Sequence, residues 1–548
     1  MTPQKPIQLE GFLDAPPFDA RVSKLAGKFV GCWSYPLLRR KWAGVLLLLL
    51  ITGLCGLRAY IGLTGTQNYS HDAFMLLDGA WRMMNGQLPH RDFYSHLGVL
   101  TYAPTAVGLW ISGGSATGYG YAQAFVGLTL GFWSYWLGRR YLQDVPACLL
   151  CVAVVLLAIS TSQLGDPPGM VAGMTYNRQG YAILAVILLE TLAGRTAALK
   201  RNDFPGGLST GSALAILLFL KITYFVFGVF VVAALIPVRP QGKRRWAGLA
   251  TGFAGISAAV CAYLRFDLIP MCKDLATIFR AKHFHLLFFA FDTILQEVAT
   301  FLIFVFMATV LLFLHQERRA ARAVAAGGLV VSVTSLLIFG NYEQSGFQMA
   351  AFLAIIAIDI ISTCIPVDLL QTSVLHVSVL LLASAFVLTS VTSGVISLSE
   401  ATVVRLTSAS RSPGLGAPRL ETFKPVSNDV EYRAFVNDGL TLLSKHRIPG
   451  ETVMSLDFTN PFSYGLGIRP ARGGTTVLQY RTTFDDKHRQ SAESLFGSAD
   501  LVMLPQPGRF SDGTLDYSIV RIYGPYLNKH FKLVATSLDW RLYRHNPA

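Results

Sequence analysis

Charge is scarce in this 548-residue sequence. Asp, Glu, Lys and Arg make up 14% of it, whereas 52% is hydrophobic. That shortage excludes an ordinary water-soluble protein, whose composition is about 25% charged. Acids are scarcer than bases, 32 against 46, leaving a formal net charge of +14. Cysteine is scarce too. There are seven, and Cys55, Cys148, Cys151, Cys261 and Cys364 lie inside apolar runs, so no disulfide framework is implied. Cys148 and Cys151 have CxxC spacing, but Leu149 and Leu150 stand between them in a membrane-type run. That is packing rather than redox or zinc chemistry. No internal repeat recurs at a fixed period.

What the sequence has in abundance is long apolar segments. Eleven are read as membrane spans: 43–61, 118–137, 145–161, 181–194, 210–221, 222–237, 247–264, 298–314, 323–340, 347–365 and 373–395. The first begins too late for a cleavable signal peptide and reads as an anchor. Segment 97–112 is placed in the outer interface, because counting it as a span would put Arg139, Arg140, Arg195, Lys200 and Arg201 outside. With that choice the inner segments 1–42, 138–144, 195–209, 238–246, 315–322 and 366–372 hold 19 Lys and Arg against 7 acids. The outer loops 62–117, 162–180, 265–296 and 341–346 hold only 7 Lys and Arg. This positive-inside asymmetry sets the N-terminus in the cytoplasm and the C-terminus outside. The basicity reports topology, and no nucleic-acid partner is expected.

The most chemically loaded stretch is Ser70 to Pro104, just after the first span. From Asp72, Phe74, Leu77, Trp81 and Met84 recur at helical spacing, and Asn85-Gly86 ends the helix. This predicts an interfacial helix with acids at the lip of the bilayer. Asp78 and Arg82 are i,i+4 partners that stabilise one another. Three further features fall on the outer side. Arg58 lies a turn from the end of the first span, where snorkelling to headgroups is the plain alternative. Lys221 interrupts an apolar stretch, which reads as a hairpin with Lys221 at its tip. The loop 161–180 holds Asp166 and Arg178 among glycines and prolines, and plain turn chemistry is the alternative there.

After Val395 the composition changes. Residues 396–425 read as a Ser/Pro/Gly-containing linker and 426–548 as a small extracytoplasmic α/β domain. Its strands are expected at 452–456, 501–504 and 532–535, with helices at 431–443, 487–496 and around 523–530. It has no Cys, no metal-ligand spacing and no glycine-rich phosphate loop, and suits a lid or acceptor platform. The expected division is a cytoplasmic segment 1–42, a transmembrane catalytic domain 43–395 whose outer loop 62–117 carries interfacial helices, the linker and the tail domain.

The order of His71-Asp72-Ala73-Phe74, Asn85-Gly86, Pro89-His90-Arg91-Asp92-Phe93 and His96-Leu97-Gly98 resembles the first outer loop of the GT-C superfamily. These are integral-membrane glycosyltransferases, including protein mannosyltransferases and lipid A aminoarabinose transferases. The resemblance covers most of residues 43–240. It implies a GT-C-like α-helical polytopic membrane protein of about eleven transmembrane helices, in a bacterial inner membrane. It also implies a polyprenyl-phosphate-linked sugar donor and a lipid, glycan or protein acceptor.

Such a transfer needs a base for the acceptor hydroxyl and cations for the leaving phosphate. Asp72 is the first candidate base, with a helix cap as its alternative. Asp92 is the second, with an ion pair to Arg91 as its alternative. Arg58, Arg91, Arg178 and Lys221 are expected at the phosphate or substrate, together with Asp166 and His96. Ala73 stands where the family often has a second acid, and Leu97-Gly98 where it often has Pro-Pro. A divalent metal is left open, with no residue assigned to hold one and no other cofactor. The competing classes are a lipid or solute transporter and a non-catalytic scaffold of an envelope polysaccharide system.

Overall fold

The computed structural model describes residues 41–64, 66, 70–161, 172, 175–192, 203–238, 240–282, 291–315, 318–339, 347–364, 374–408, 415–424 and 430–546. Fourteen helices are described before the tail domain. They are α1 (Lys41–Ile61), α2 (Asp72–Met84), α3 (Val99–Ile111), α4 (Gly118–Tyr141), α5 (Asp144–Ile159), α6 (Thr175–Leu192) and α7 (Phe204–Leu220). There follow α8 (Ile222–Leu235), α9 (Lys243–Tyr263), α10 (Ile269–Ala281), α11 (Phe291–His315), α12 (Arg318–Phe339), α13 (Phe347–Cys364) and α14 (Val374–Ser408). Each of the eleven apolar segments coincides largely with one of these. Among the described residues, α1, α9, α11, α12 and α14 contain stretches long and apolar enough to cross a membrane, and α3, α5, α7, α8 and α13 are apolar but shorter. The chain is an α-helical, multi-pass membrane protein with a small sheet near its C-terminus.

Small residues set the closest helix pair. A Cβ on Gly207 would lie 2.0 Å from the Arg245 carbonyl oxygen, and one on Gly211 equally close to that of Leu249. Helices α7 and α9 therefore touch backbone to backbone, as membrane helices do where apolar side chains gain nothing over lipid. At the same end lies a buried polar knot. Arg245 donates to the Glu190 carbonyl at 2.9 Å, Thr210 bonds the Glu190 carboxylate, and Asp203 accepts from Arg140 and Tyr141. These residues lie at or beside the segments that the charge count places inside, and their partners mark them as structural.

Two sequence expectations are corrected beyond Val395. Residues 396–408 are not linker, because α14 runs 35 residues, about 52 Å. A bilayer core is about 30 Å thick, so the helix exceeds it by several turns. Beyond it, Leu415, Ala417, Leu420 and Phe423 are buried in the same core as α2.

The tail domain holds α15 (Val430–His446), β1 (Val453–Ser455), α16 (Phe462–Gly465), α17 (Ala492–Phe496), β2 (Leu501–Pro505), α18 (Gly513–His530), β3 (Phe531–Thr536) and β4 (Trp540–His545). Strand order is β1-β2-β4-β3, with β1 and β2 parallel and the rest antiparallel. β4 was not foreseen. Its arginines mask a strand whose Trp540 and Leu542 face inward and are fully buried. Helix α18 also starts ten residues earlier than expected and runs through Pro525.

Candidate active site

The helix α2 begins at Asp72, but the residue that caps it is His71, which makes no side-chain cap bond. Asp72 is therefore not the N-cap. Its carboxylate is 15% exposed and lies 3.5 Å from His71 Nε2. Burial pushes His71 down to about 4, partly opposed by Asp512, so the imidazole is neutral at pH 7. Its ring packs edge-on against Phe458, with centroids 4.6 Å apart, and its carbonyl accepts from Thr459 Oγ1 at 3.1 Å. Phe458 and Thr459 follow β1, and Asp512 caps α18. The tail domain thus packs against His71, beside Asp72, with the loops that leave the C-terminal ends of its two parallel strands.

The expected surface helix is in fact sandwiched. Every residue from Ala73 to Arg82 is buried. Trp81 Nε1 donates to the Ile468 carbonyl at 2.8 Å and lies 4.2 Å beneath Arg419. Asp78 and Arg82 are paired at 2.7 Å with side-chain exposures of 0% and 1%. Arg82 also donates to Ala471 O and Gly473 O, each at 2.9 Å. What reads in sequence as a helix-surface pair is a buried clasp between the loop and the tail domain.

The motif at 89–93 serves the same docking. Asp92 accepts from Leu88 N at 2.8 Å and from Arg91 at 2.9 Å. Burial would raise its carboxyl, but the bonds from Arg91 and Leu88 prevail and hold it below the usual range. Its carbonyl accepts from Gly473 N, while Tyr94 N donates to Gly474 O. Among the described contacts none brings Asp92 or Arg91 to Asp72, Arg58, Arg178 or Lys221. Their arrangement is the ion pair that was the alternative reading.

The remaining cations are linked, directly or through Tyr119, to side chains of the first turn of α6. Thr175 Oγ1 bonds Tyr119 OH at 2.5 Å and accepts from Arg178 Nη2 at 3.4 Å. Arg58 lies 5.3 Å over the Tyr119 ring and donates to Gly62 O at 2.9 Å. At 1% exposure it is not snorkelling to headgroups. Lys221 donates to Asn177 Oδ1 at 3.2 Å and lies over the rings of Tyr176 and Tyr224 at 5.3 and 5.8 Å. Tyr224 reaches α6 because Gly180 has no Cβ; one there would lie 2.8 Å from that ring.

Lys221 is the single extended residue between α7 and α8. The Leu220 carbonyl left open beside it accepts from Gly98 N and Thr101 Oγ1, which ties this break to the start of α3. The α6 N-terminus adds the partial positive charge of its free amide groups. Asp72 stands within Coulombic range of the Tyr176 hydroxyl.

His96 belongs to the same neighbourhood. Burial first, then Lys221, Lys282 and His90, push its imidazole down to about 3, so it is neutral. Lys282, which ends α10, was missed by the sequence reading, and burial pushes it down to about 8. Asp274 of α10 accepts from Ser95 N and bonds His90 Nδ1 at 2.9 Å, which fastens α10 to the outer loop. Asp166 lies outside the described residues. Among the described residues no group of three or more His, Cys, Asp or Glu is placed to hold a metal ion.

No family model and no curated protein matches this chain. Among solved structures it is similar to ArnT from Cupriavidus metallidurans. The apo crystal structure shares 13% identity, with 91% of this chain and 98% of that chain covered and a TM-score of 0.46. The structure of the same protein bound to undecaprenyl phosphate shares 12% identity over 91% and 97%, with a TM-score of 0.45.

The residues that sequence reasoning missed here are Thr175, Tyr176, Asn177, Tyr119 and Tyr224. Tyrosines next to apolar runs are common at membrane interfaces, so nothing local distinguished these. The available signal was the run Thr175-Tyr176-Asn177-Arg178-Gln179, polar-headed residues opening a helix that is apolar over 182–189.

Proposed function

We propose that this protein is a glycosyltransferase that moves a sugar from a polyprenyl-phosphate carrier to an acceptor at the outer face of the bacterial cytoplasmic membrane. One observation carries the reading. Side chains of the first turn of α6 contact Arg178 and Lys221 and, through Tyr119, Arg58, and Asp72 is electrostatically coupled to Tyr176 in the same turn, which supports this reading. Buried or half-buried cations from separate segments at the hydrocarbon edge suit a phosphate, which Arg and Lys both bind. A lipid phosphate arrives at that depth with its tail in the bilayer.

In the reaction, Asp72 takes the proton of the acceptor hydroxyl as its oxygen bonds to the anomeric carbon. The bond from that carbon to the phosphate oxygen breaks, and the electron pair leaves with the polyprenyl phosphate. Arg58, Arg178 and Lys221 stabilise that charge, Arg through paired donors and Lys as a point charge. The neutral His71 keeps a second cation away from the base.

The test uses purified, monodisperse protein. Lys221→Ala weakens binding of a polyprenyl monophosphate and Lys221→Arg recovers part of it. Asp72→Asn binds the lipid normally but loses roughly 10²-fold or more in transfer. Wild-type binding in Lys221→Gln, or wild-type transfer in Asp72→Asn, would refute the assignment.

A further inference from the structure

We infer that Tyr176 meets the transferred sugar and fixes its position between base and phosphate, an inference that rests on the glycosyltransfer reading above. In any glycosyl phosphate one oxygen separates the anomeric carbon from phosphorus. The sugar ring must therefore sit directly beside the cations. The acceptor oxygen must lie within hydrogen-bond reach of Asp72, on the other side of that carbon. The sugar consequently lies between Lys221 and Asp72.

Among the described residues, Tyr176 neighbours both Lys221 and Asp72. Its ring lies 5.3 Å from Lys221 Nζ, and its hydroxyl is within Coulombic range of the Asp72 carboxylate. Asn177, the next residue along α6, accepts from Lys221. Tyr102 is in range of Tyr176 as well, but its hydroxyl is held by Ser95 at 2.8 Å and Thr476 at 2.9 Å. Tyr176 is half-buried. Its two parts then do different work. The ring holds the ammonium of Lys221 by a cation–π contact. The hydroxyl, which can both donate and accept, reads a hydroxyl of the sugar.

Two substitutions separate these roles, with direct binding as the readout. The probes are a polyprenyl monophosphate and the same lipid carrying a hexose, an N-acetylhexosamine or a pentose on its phosphate. Wild type should bind at least one glycosylated lipid more tightly than the bare one. Tyr176→Phe should keep the bare-lipid affinity within twofold and lose the preference for the sugar, about three- to tenfold, the scale of one hydrogen bond. Tyr176→Ala should weaken both. The inference falls if Tyr176→Phe keeps the full preference, if it loses bare-lipid affinity as far as Tyr176→Ala does, or if the wild type shows no preference. If the wild type binds no polyprenyl phosphate at all, the glycosyltransfer reading falls first. Should Tyr176→Ala fail to fold, the comparison of Tyr176→Phe with wild type still decides.

Discussion

Removing one carboxylate should loosen the tail domain from the outer loop. An exposed i,i+4 pair on a helix contributes about 0.2–0.5 kcal/mol, and the sequence spacing of Asp78 and Arg82 alone would suggest that figure. Their burial changes the magnitude. Breaking a buried ion pair by deleting one partner costs about 3–5 kcal/mol, because a charge is left without compensation. Arg82 keeps Gln87 Oε1 at 3.2 Å and the Ala471 and Gly473 carbonyls after Asp78→Ala, so the lower end, about 3 kcal/mol, is expected. Because Arg82 spans from α2 to residues 471 and 473, much of that loss falls on docking. The opening equilibrium of the tail domain should rise roughly 10²-fold, since 1.4 kcal/mol is tenfold. Limited proteolysis of detergent-solubilised protein reads this as faster cleavage beyond α14. Trp81 fluorescence reads the same opening, because its indole donates across the interface. A cleavage rate within threefold of wild type would show that the pair is worth only its helix-surface value.

Asp457 supplies a pH dependence. Burial raises its carboxyl from 3.8 to about 6, against bonds from Ser511. The folded state therefore holds a proton that the unfolded state has released between pH 4 and 6. Stability should fall as pH rises through that window, by about 3 kcal/mol at 1.36 kcal/mol per unit, and level off above it. Asp457→Asn should flatten the curve in thermal unfolding at pH 4 to 7, and an unchanged slope would clear Asp457 of the effect. The topology makes its own prediction. A cysteine at position 430 should be labelled by an impermeant reagent in intact cells and one at position 200 should not. Labelling of 200 would place the cations on the wrong side of the membrane.

The amino-acid sequence by itself determined the class, the positions of the membrane helices and the residues that stand out of them. Those are local properties. Hydrocarbon tolerates only apolar helices, so their length and composition mark them, and isolated Arg58 and Lys221 are conspicuous against that background. The sequence also marked Asp72 as the start of an amphipathic helix. Only the tertiary structure decided which of these residues work together. Asp92 and Arg91 look as functional in the chain as Asp72 does, yet their side chains close a turn that docks the tail domain. Thr175 and Tyr176 look ordinary, yet they join Arg58, Arg178 and Lys221 across more than a hundred residues. Asp78 and Arg82 gain their weight from the tail domain that buries them, which begins hundreds of residues later. The reason is the same in each case. Composition and periodicity show what a segment can bury, but the energy of a charge depends on who stands opposite it, and that is set by contacts distant in sequence.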